Sequence, residues 1–243
     1  MLEPMAAADA LLERLSEEPG RAALFLDFDG VLSPIVERPD DAALPPETRA
    51  QLARLVDRYA VVSVVSGRAG DDVRRRIGVE GVICVGSHGL EIDPEAQRWR
   101  PRIRAFAAEA QWPDTELKDL TVSFHYRTAA DERAAVQQLE EIAGRARAEG
   151  LVARFGRKVL EVLPPLDSNK GTVVTRLLED AGLGRALVSG DDTTDLDSFR
   201  AVDGLEVAVR VAVVTEESPA ALREAADVVV GGTSEFLELL RTL

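Results

Sequence analysis

Short aliphatic runs recur along the chain, at residues 22–26, 61–65, 82–85, 186–188, 205–209 and 228–230. As a set they are continuous rather than alternating, β-branched, and mostly closed by Gly, Asp or Ser. Runs of this kind are predicted as strands buried on both faces. Between them the apolar positions take up helical spacing. "PPETRAQLARLVDRY" opens on two prolines and spaces Leu52, Leu55 and Val56 as one helix face does. "NKGTVVTRLLEDAG" begins at an Asn able to cap a helix and stops at Gly182. "SEFLELLRTL" reads as an amphipathic helix capped by Thr233 or Ser234. Strands alternating with helices over short connections predict an α/β fold, a Rossmann-like parallel sheet with helices on both faces.

The middle of the chain breaks that rhythm. It reads as a helix at 103–111, a strand in "LTVSFHYR", a helix in "DERAAVQQLEEIAGRARAEG", and two close strands in "LVARFG" and "KVLEVLPP". "TVSFHYR" partly alternates, as a half-exposed antiparallel strand does. The last two strands are expected to form a hairpin turning at Gly156 and Arg157. The pattern predicts an α+β domain at 94–165, inserted into a core made of 1–93 and 166–243.

Composition narrows the class. The chain has 243 residues, 46% hydrophobic and 30% charged, as ordinary globular proteins do. Only 5% is aromatic, so the core must rest on aliphatic side chains. A formal net charge of −14 opposes binding to nucleic acid or anionic lipid. A single cysteine, Cys84, excludes an internal disulfide and a cysteine-based zinc site. The first twenty residues lack the basic start and apolar stretch of a secretory signal, and no apolar run matches a membrane span. A cytoplasmic protein is expected. Nothing sets the oligomeric state, and a monomer is compatible with the sequence.

Ligands of open parallel sheets bind beyond the carboxyl ends of the strands. At the predicted ends stand "DFDG", "SGR", "GSHG" and "SGDDTTD", and Lys170 opens the helix after the insertion. Each motif alone fits turn or helix-cap chemistry; their joint occurrence in this order points to one site. Asp27 and Asp29 are two residues apart, so near a strand end they can face the same side. Gly30 then allows a tight turn. Two adjacent carboxylates repel unless a cation lies between them. Mg²⁺ prefers such oxygen ligands together with substrate phosphate, and Asp191 is placed to complete the set. No P-loop, EF-hand or G-x-S-x-G pattern is present.

"DFDGVL", "SGR", the lysine and "GDDTTDLDSF" resemble, as an ordered set, the four motifs of the haloacid dehalogenase superfamily. "GSHGLEI", "KVLEVLPPLDSNKG" and "SGDDTTDLDSF" resemble the trehalose-6-phosphate phosphatase family more narrowly. The resemblance runs from about residue 22 to the C-terminus. It implies the haloacid dehalogenase fold with a mobile cap, and a Mg²⁺-dependent phosphatase working through an aspartyl-phosphate. On that pattern Asp27 is the nucleophile and Asp29 the general acid and base. Mg²⁺ is held by Asp27, the Asp29 carbonyl and Asp191, with Asp192 and Asp195 behind them. Gly30, Ser66, Gly67 and Lys170 bind the phosphoryl group, Lys170 also supporting the nucleophile. His88, Glu91, Lys158 and Glu161 bind sugar hydroxyls. Two departures stand out: Val31 replaces a common threonine, and Leu196 replaces an acidic residue. The leading substrate is trehalose 6-phosphate. Its rivals are glucosylglycerol phosphate, sucrose phosphate and a cyclitol-containing pseudo-disaccharide phosphate; a phosphomutase or a silent regulatory homologue are rivals in role. For Lys158 and Glu161 the alternative is a cross-strand pair on a solvated face. For His88 it is a local bond in its turn, and His125 is expected to be structural.

Overall fold

The computed structural model describes residues 3–243 except 37, 157 and 217, with side chains from residue 7 onward. The chain divides into two compact units, one made of Met1–Gly89 with Ser168–Leu243, the other of Leu90–Asp167.

In the first unit the order is α1 (Glu3–Glu17), β1 (Ala22–Leu26), α2 (Pro46–Val56), β2 (Val61–Val65), α3 (Gly70–Ile77) and β3 (Ile83–Val85). The second unit holds α4 (Arg100–Ala110), β4 (Thr115–Leu117), β5 (Val122–His125), α5 (Glu132–Ala148), β6 (Val152–Gly156) and β7 (Val159–Leu163). The first unit resumes with α6 (Lys170–Ala181), β8 (Arg185–Gly190), α7 (Leu196–Ala201), β9 (Val207–Val213), α8 (Ala220–Ala225), β10 (Val228–Val230) and α9 (Thr233–Thr242).

The large sheet is six-stranded and parallel, in the order β10-β9-β8-β1-β2-β3. Ala22, Leu24 and Leu26 of β1 pack in one apolar cluster with Leu15 of α1, Leu52 and Leu55 of α2, and Phe236 and Leu240 of α9. The intervening Ala23 and Phe25 point the other way and are buried too. Both faces are covered, which is why the strand sequences run apolar without alternation. The chain winds outward from β1 in one direction through β2 and β3, and in the other through β8, β9 and β10. The strand order therefore reverses at β1 and β8, and the crevice beyond their carboxyl ends is where such sheets bind ligands.

The smaller sheet is antiparallel, in the order β4-β5-β7-β6. Val122, Phe124, Leu160 and Val162 bury one face against Ile103 and Phe106 of α4 and Leu139 and Ile142 of α5. β6 and β7 pair as a hairpin, and Arg157 of its expected turn lies outside the described residues.

Several boundaries differ from the sequence expectation. α9 begins one residue earlier, so Thr233 and Ser234 lie inside it and Gly232 takes the cap position. Its amino end is instead tied by the Glu235 carboxylate, which accepts the Gly231 N–H at 2.6 Å. α1, α3, α8 and β4 are additional; all three residues of β4 are exposed, so it carries no burial pattern to read.

Candidate active site

Asp27, Ser66 and Asp191 are the first residues beyond β1, β2 and β8, three neighbouring strands. The sheet alone thus brings together groups distant in sequence. Lys170 is the first residue of α6, whose amino end is fixed by a reciprocal cap. The Asn169 carboxamide oxygen accepts the Thr172 N–H at 3.0 Å, and Thr172 Oγ1 accepts the Asn169 N–H at 3.1 Å. A lysine at the start of a helix opposes the helix dipole. Here it is buried and paired with two carboxylates, Asp27 at 2.9 Å and Asp195 at 2.7 Å.

Asp27, Asp191 and Asp195 each offer an oxygen, all within 4.8 Å of one another. One lysine stands against three carboxylates. Burial, with Asp195 close by, pushes the Asp27 carboxyl up to about 7 despite Lys170. Burial and then the charges of Asp27 and Asp195 push Asp191 up to about 9. For Lys170, burial acts to lower the pKa, but Asp195 and Asp27 more than offset it and the group is held further into its charged form. The pocket therefore has an excess of oxygen donors and negative charge, the chemistry that suits a hard divalent cation.

Asp195 is the best satisfied of the three. Its Oδ1 takes the lysine, and its Oδ2 accepts the backbone N–H groups of Asp191 and Asp192, both at 3.1 Å. That leaves it as a brace for Lys170 and for the Asp191 loop. Asp192 is exposed and caps the turn Thr193–Asp195 through the Thr193 N–H at 2.6 Å. Asp197, near the Leu196 departure, faces Arg200 at 2.8 Å and lies outside the cluster.

Asp29 does repel Asp27, as expected, but it has a cation of its own. Its carboxylate is gripped by Arg68, with Nε on Oδ2 at 2.7 Å and Nη2 on Oδ1 at 2.8 Å. Of the carboxylates around Asp27, Asp195 raises its pKa more than Asp29 does. Arg68 stands in the quoted "SGR" motif, yet the sequence reading gave it no role. The signal available was its place directly after two candidate phosphate-binding residues.

Gly30 has φ +79°, and a Cβ there would stand 2.1 Å from Asp191 Oδ2. Its N–H donates to the Ser33 carbonyl at 2.8 Å, so that amide is spent inside the turn. The turn is braced by buried Ser33, whose N–H donates to the Phe28 carbonyl at 2.8 Å and whose Oγ donates to the Ala43 carbonyl at 3.0 Å. The turn is thus braced with no hydroxyl at position 31, where Val31 is buried. Ser66 is buried, and its Oγ accepts the Arg68 N–H at 3.2 Å. A Cβ on Gly67 would meet the His88 ring at 2.5 Å, so the glycine makes room for the imidazole. His88 has φ +53° and its N–H donates to the Ser66 carbonyl at 3.0 Å.

The remaining expected residues lie in the second unit. Glu91 is half-buried in the 3₁₀ stretch Ser87–Ile92. Lys158, with φ +60°, pairs with Glu132 and stands 6.0 Å from the Tyr126 ring centroid. Glu161 lies 3.6 Å from Lys118 and accepts from Thr121 Oγ1 at 3.4 Å. Lys158 and Glu161 thus have separate partners, which overturns the cross-strand pair considered for them. His125 donates or accepts at Glu116 at 3.0 Å, on β5.

The trehalose-phosphatase family model matches residues 25–115 and 113–227. The chain belongs to the trehalose-phosphatase family. A trehalose-phosphate phosphatase of Mycolicibacterium paratuberculosis is 35% identical over 207 residues, covering 75% of this chain and 51% of that protein. An uncharacterized glycosyl hydrolase of Mycobacterium tuberculosis is 36% identical over 220 residues, covering 78% of this chain but 16% of that protein. The chain therefore spans about half the length, or less, of these curated relatives. Among solved structures, the trehalose-6-phosphate phosphatase C-terminal domain of C. albicans aligns with a TM-score of 0.75 at 22% identity, covering 95% of each chain. That likeness shows the fold, a haloacid dehalogenase-like parallel core with a separate antiparallel sheet. Among the described residues, no helix is long and apolar enough to cross a membrane.

Proposed function

We propose that this chain is a Mg²⁺-dependent phosphoric monoester hydrolase acting on a disaccharide monophosphate, with trehalose 6-phosphate as its leading substrate. The observation that carries the reading is the buried Asp27–Lys170–Asp195 cluster with Asp191, at the carboxyl ends of adjacent parallel strands. Membership of the trehalose-phosphatase family and the relative named a trehalose-phosphate phosphatase support the substrate.

Asp27 attacks phosphorus, an aspartyl-phosphate forms, and the sugar oxygen leaves with a proton from Asp29. Water then attacks that phosphorus, gives its proton to Asp29, and frees Asp27. Lys170 supplies a fixed positive charge beside Asp27, where negative charge accumulates. Ser66 and the amides flanking Gly30 and Gly67 orient the phosphoryl oxygens, the Gly30 N–H itself being engaged by Ser33. Asp27, Asp191 and the Asp29 carbonyl would hold the metal, with Asp192 and Asp195 bracing them. When bound, Mg²⁺ offsets phosphoryl charge and clamps its oxygens. We assign the sugar to His88, Glu91, Lys158 and Glu161. The unit containing the last three is proposed as the cap, and the rest of the chain as the catalytic core of a cytoplasmic enzyme.

The test is phosphate release across a panel of sugar phosphates, comparing kcat/KM, with and without chelator. We expect trehalose 6-phosphate to rank first, activity to vanish in EDTA, and Mg²⁺ to restore it. Full turnover in EDTA would end the metal reading, and a higher rank for another sugar phosphate would end the substrate assignment.

A further inference from the structure

Arg68 grips Asp29 with two parallel hydrogen bonds, which fix the distance and the plane of the carboxylate together. The rest of Arg68 is anchored without Asp29. Its Nη1 donates to the Pro39 carbonyl at 3.0 Å and to Asp72 Oδ2 at 3.4 Å. Its guanidinium lies 5.6 Å from the ring centroid of Phe28, which is fully buried. Its own N–H donates to Ser66 Oγ at 3.2 Å, and its carbonyl accepts the Ser87 N–H at 2.8 Å. Asp72 is fixed in turn by Arg76 at 2.7 Å and Arg75 at 3.1 Å. Exposed ion pairs contribute little because both partners move. Arg68 has a side chain only 15% exposed, whereas that of Asp29 is 40% exposed. The rigid partner is the arginine, and the open carboxylate is the one being aimed.

We propose that Arg68 is a positioning residue for Asp29, holding its carboxylate toward the oxygen that leaves phosphorus. The inference rests on the proposed acid–base role of Asp29. In the first step the Asp27–phosphorus bond forms, the phosphorus–sugar oxygen bond breaks, and the Asp29 proton moves to that oxygen. In the second step the water–phosphorus bond forms, the Asp27–phosphorus bond breaks, and a water proton moves to Asp29. One oxygen of Asp29 handles the proton in both steps, through a lone pair that the two-point grip of Arg68 does not use.

Leaving-group dependence tests this. A sugar alkoxide needs a proton as it departs; p-nitrophenolate does not. kcat/KM covers only the steps through the first phosphoryl transfer, so it isolates the acid role. Arg68→Met is expected to lower kcat/KM for trehalose 6-phosphate about 100-fold, the cost of misplacing a reacting group by about 1 Å. The loss for p-nitrophenyl phosphate should be at least about tenfold smaller, because its departure draws less on general-acid catalysis. Arg68→Lys should restore only part of the difference, since an ammonium cannot make the two-point grip. Asp72→Asn, which loosens Arg68 without touching Asp29, should give a smaller loss with the same selectivity, and it carries the test if Arg68→Met does not fold. Equal losses on both substrates, or none, overturn the inference. Asp29→Asn separates the two levels: a selective loss there upholds the role of Asp29, and an unselective one removes that role itself.

Discussion

Among the described residues Asp27 has one cation, Lys170 at 2.9 Å, and that cation also serves Asp195 at 2.7 Å. With its carboxyl raised to about 7 by burial, a charged Asp27 weighs against the fold at alkaline pH. Asp27→Asn should therefore abolish phosphate release while leaving Tm at pH 8 in EDTA equal to or above that of the native protein. A large fall in Tm, or retained turnover, would contradict the two roles given to this carboxylate. At this scale the sequence was readable where a residue type is odd for its place: carboxylates at the tip of an apolar strand, a lysine opening a helix. It was not readable where the oddness lies in a pairing. Nothing in "SGR" says which way Arg68 turns, and only the folded backbone shows that Asp195 uses both its oxygens on Lys170 and on two amides.

Among the elements, α6 links stability to the site most directly. Its capping residue, Asn169, immediately precedes Lys170. Asn169→Ala should cost about 1 kcal/mol, the usual value of such a cap. It should also lower kcat more than a cap lost from α5, where Asp131 accepts the Ala134 N–H at 3.0 Å. Denaturant unfolding and turnover measured on both variants give the comparison; equal effects on kcat would show that cap geometry does not position Lys170. The core strands were legible because burial on both faces leaves continuous apolar runs. α6 was legible because Asn169 and Gly182 mark its ends, Gly182 in the left-handed conformation that favours glycine. β4 was hidden because an edge strand with every residue exposed has no apolar face to show.

For the whole molecule, the raised carboxyls tie stability to pH. Asp27 at about 7 and Asp191 at about 9 both exceed the ordinary carboxylate value of about 3.9. The folded chain thus holds protons that the unfolded chain releases. This contribution to stability is complete below the ordinary carboxylate range and is lost as the pH rises through about 7 and then about 9. Asp72 works the opposite way: Arg76 and Arg68 outweigh its burial and lower its pKa, so its contribution is lost on acidification. In EDTA, Tm should fall steadily between about pH 6 and pH 9, and millimolar Mg²⁺ should flatten the fall by taking the protons' place. A fall unaltered by Mg²⁺ would mean that the acidic cluster does not bind it.

The same sheet order has a consequence for how the chain is made. β2, one neighbour of β1, is translated soon after it, but the other neighbour is β8, where Ala22 pairs with Arg185. Until those late residues emerge, β1 presents an unsatisfied edge, and Asp27 has neither Lys170 nor Asp191 beside it. Synthesis of the whole intervening unit falls within that interval. Neither half of the core owns the chemistry, and α6 and β8, translated after the intervening unit, complete it.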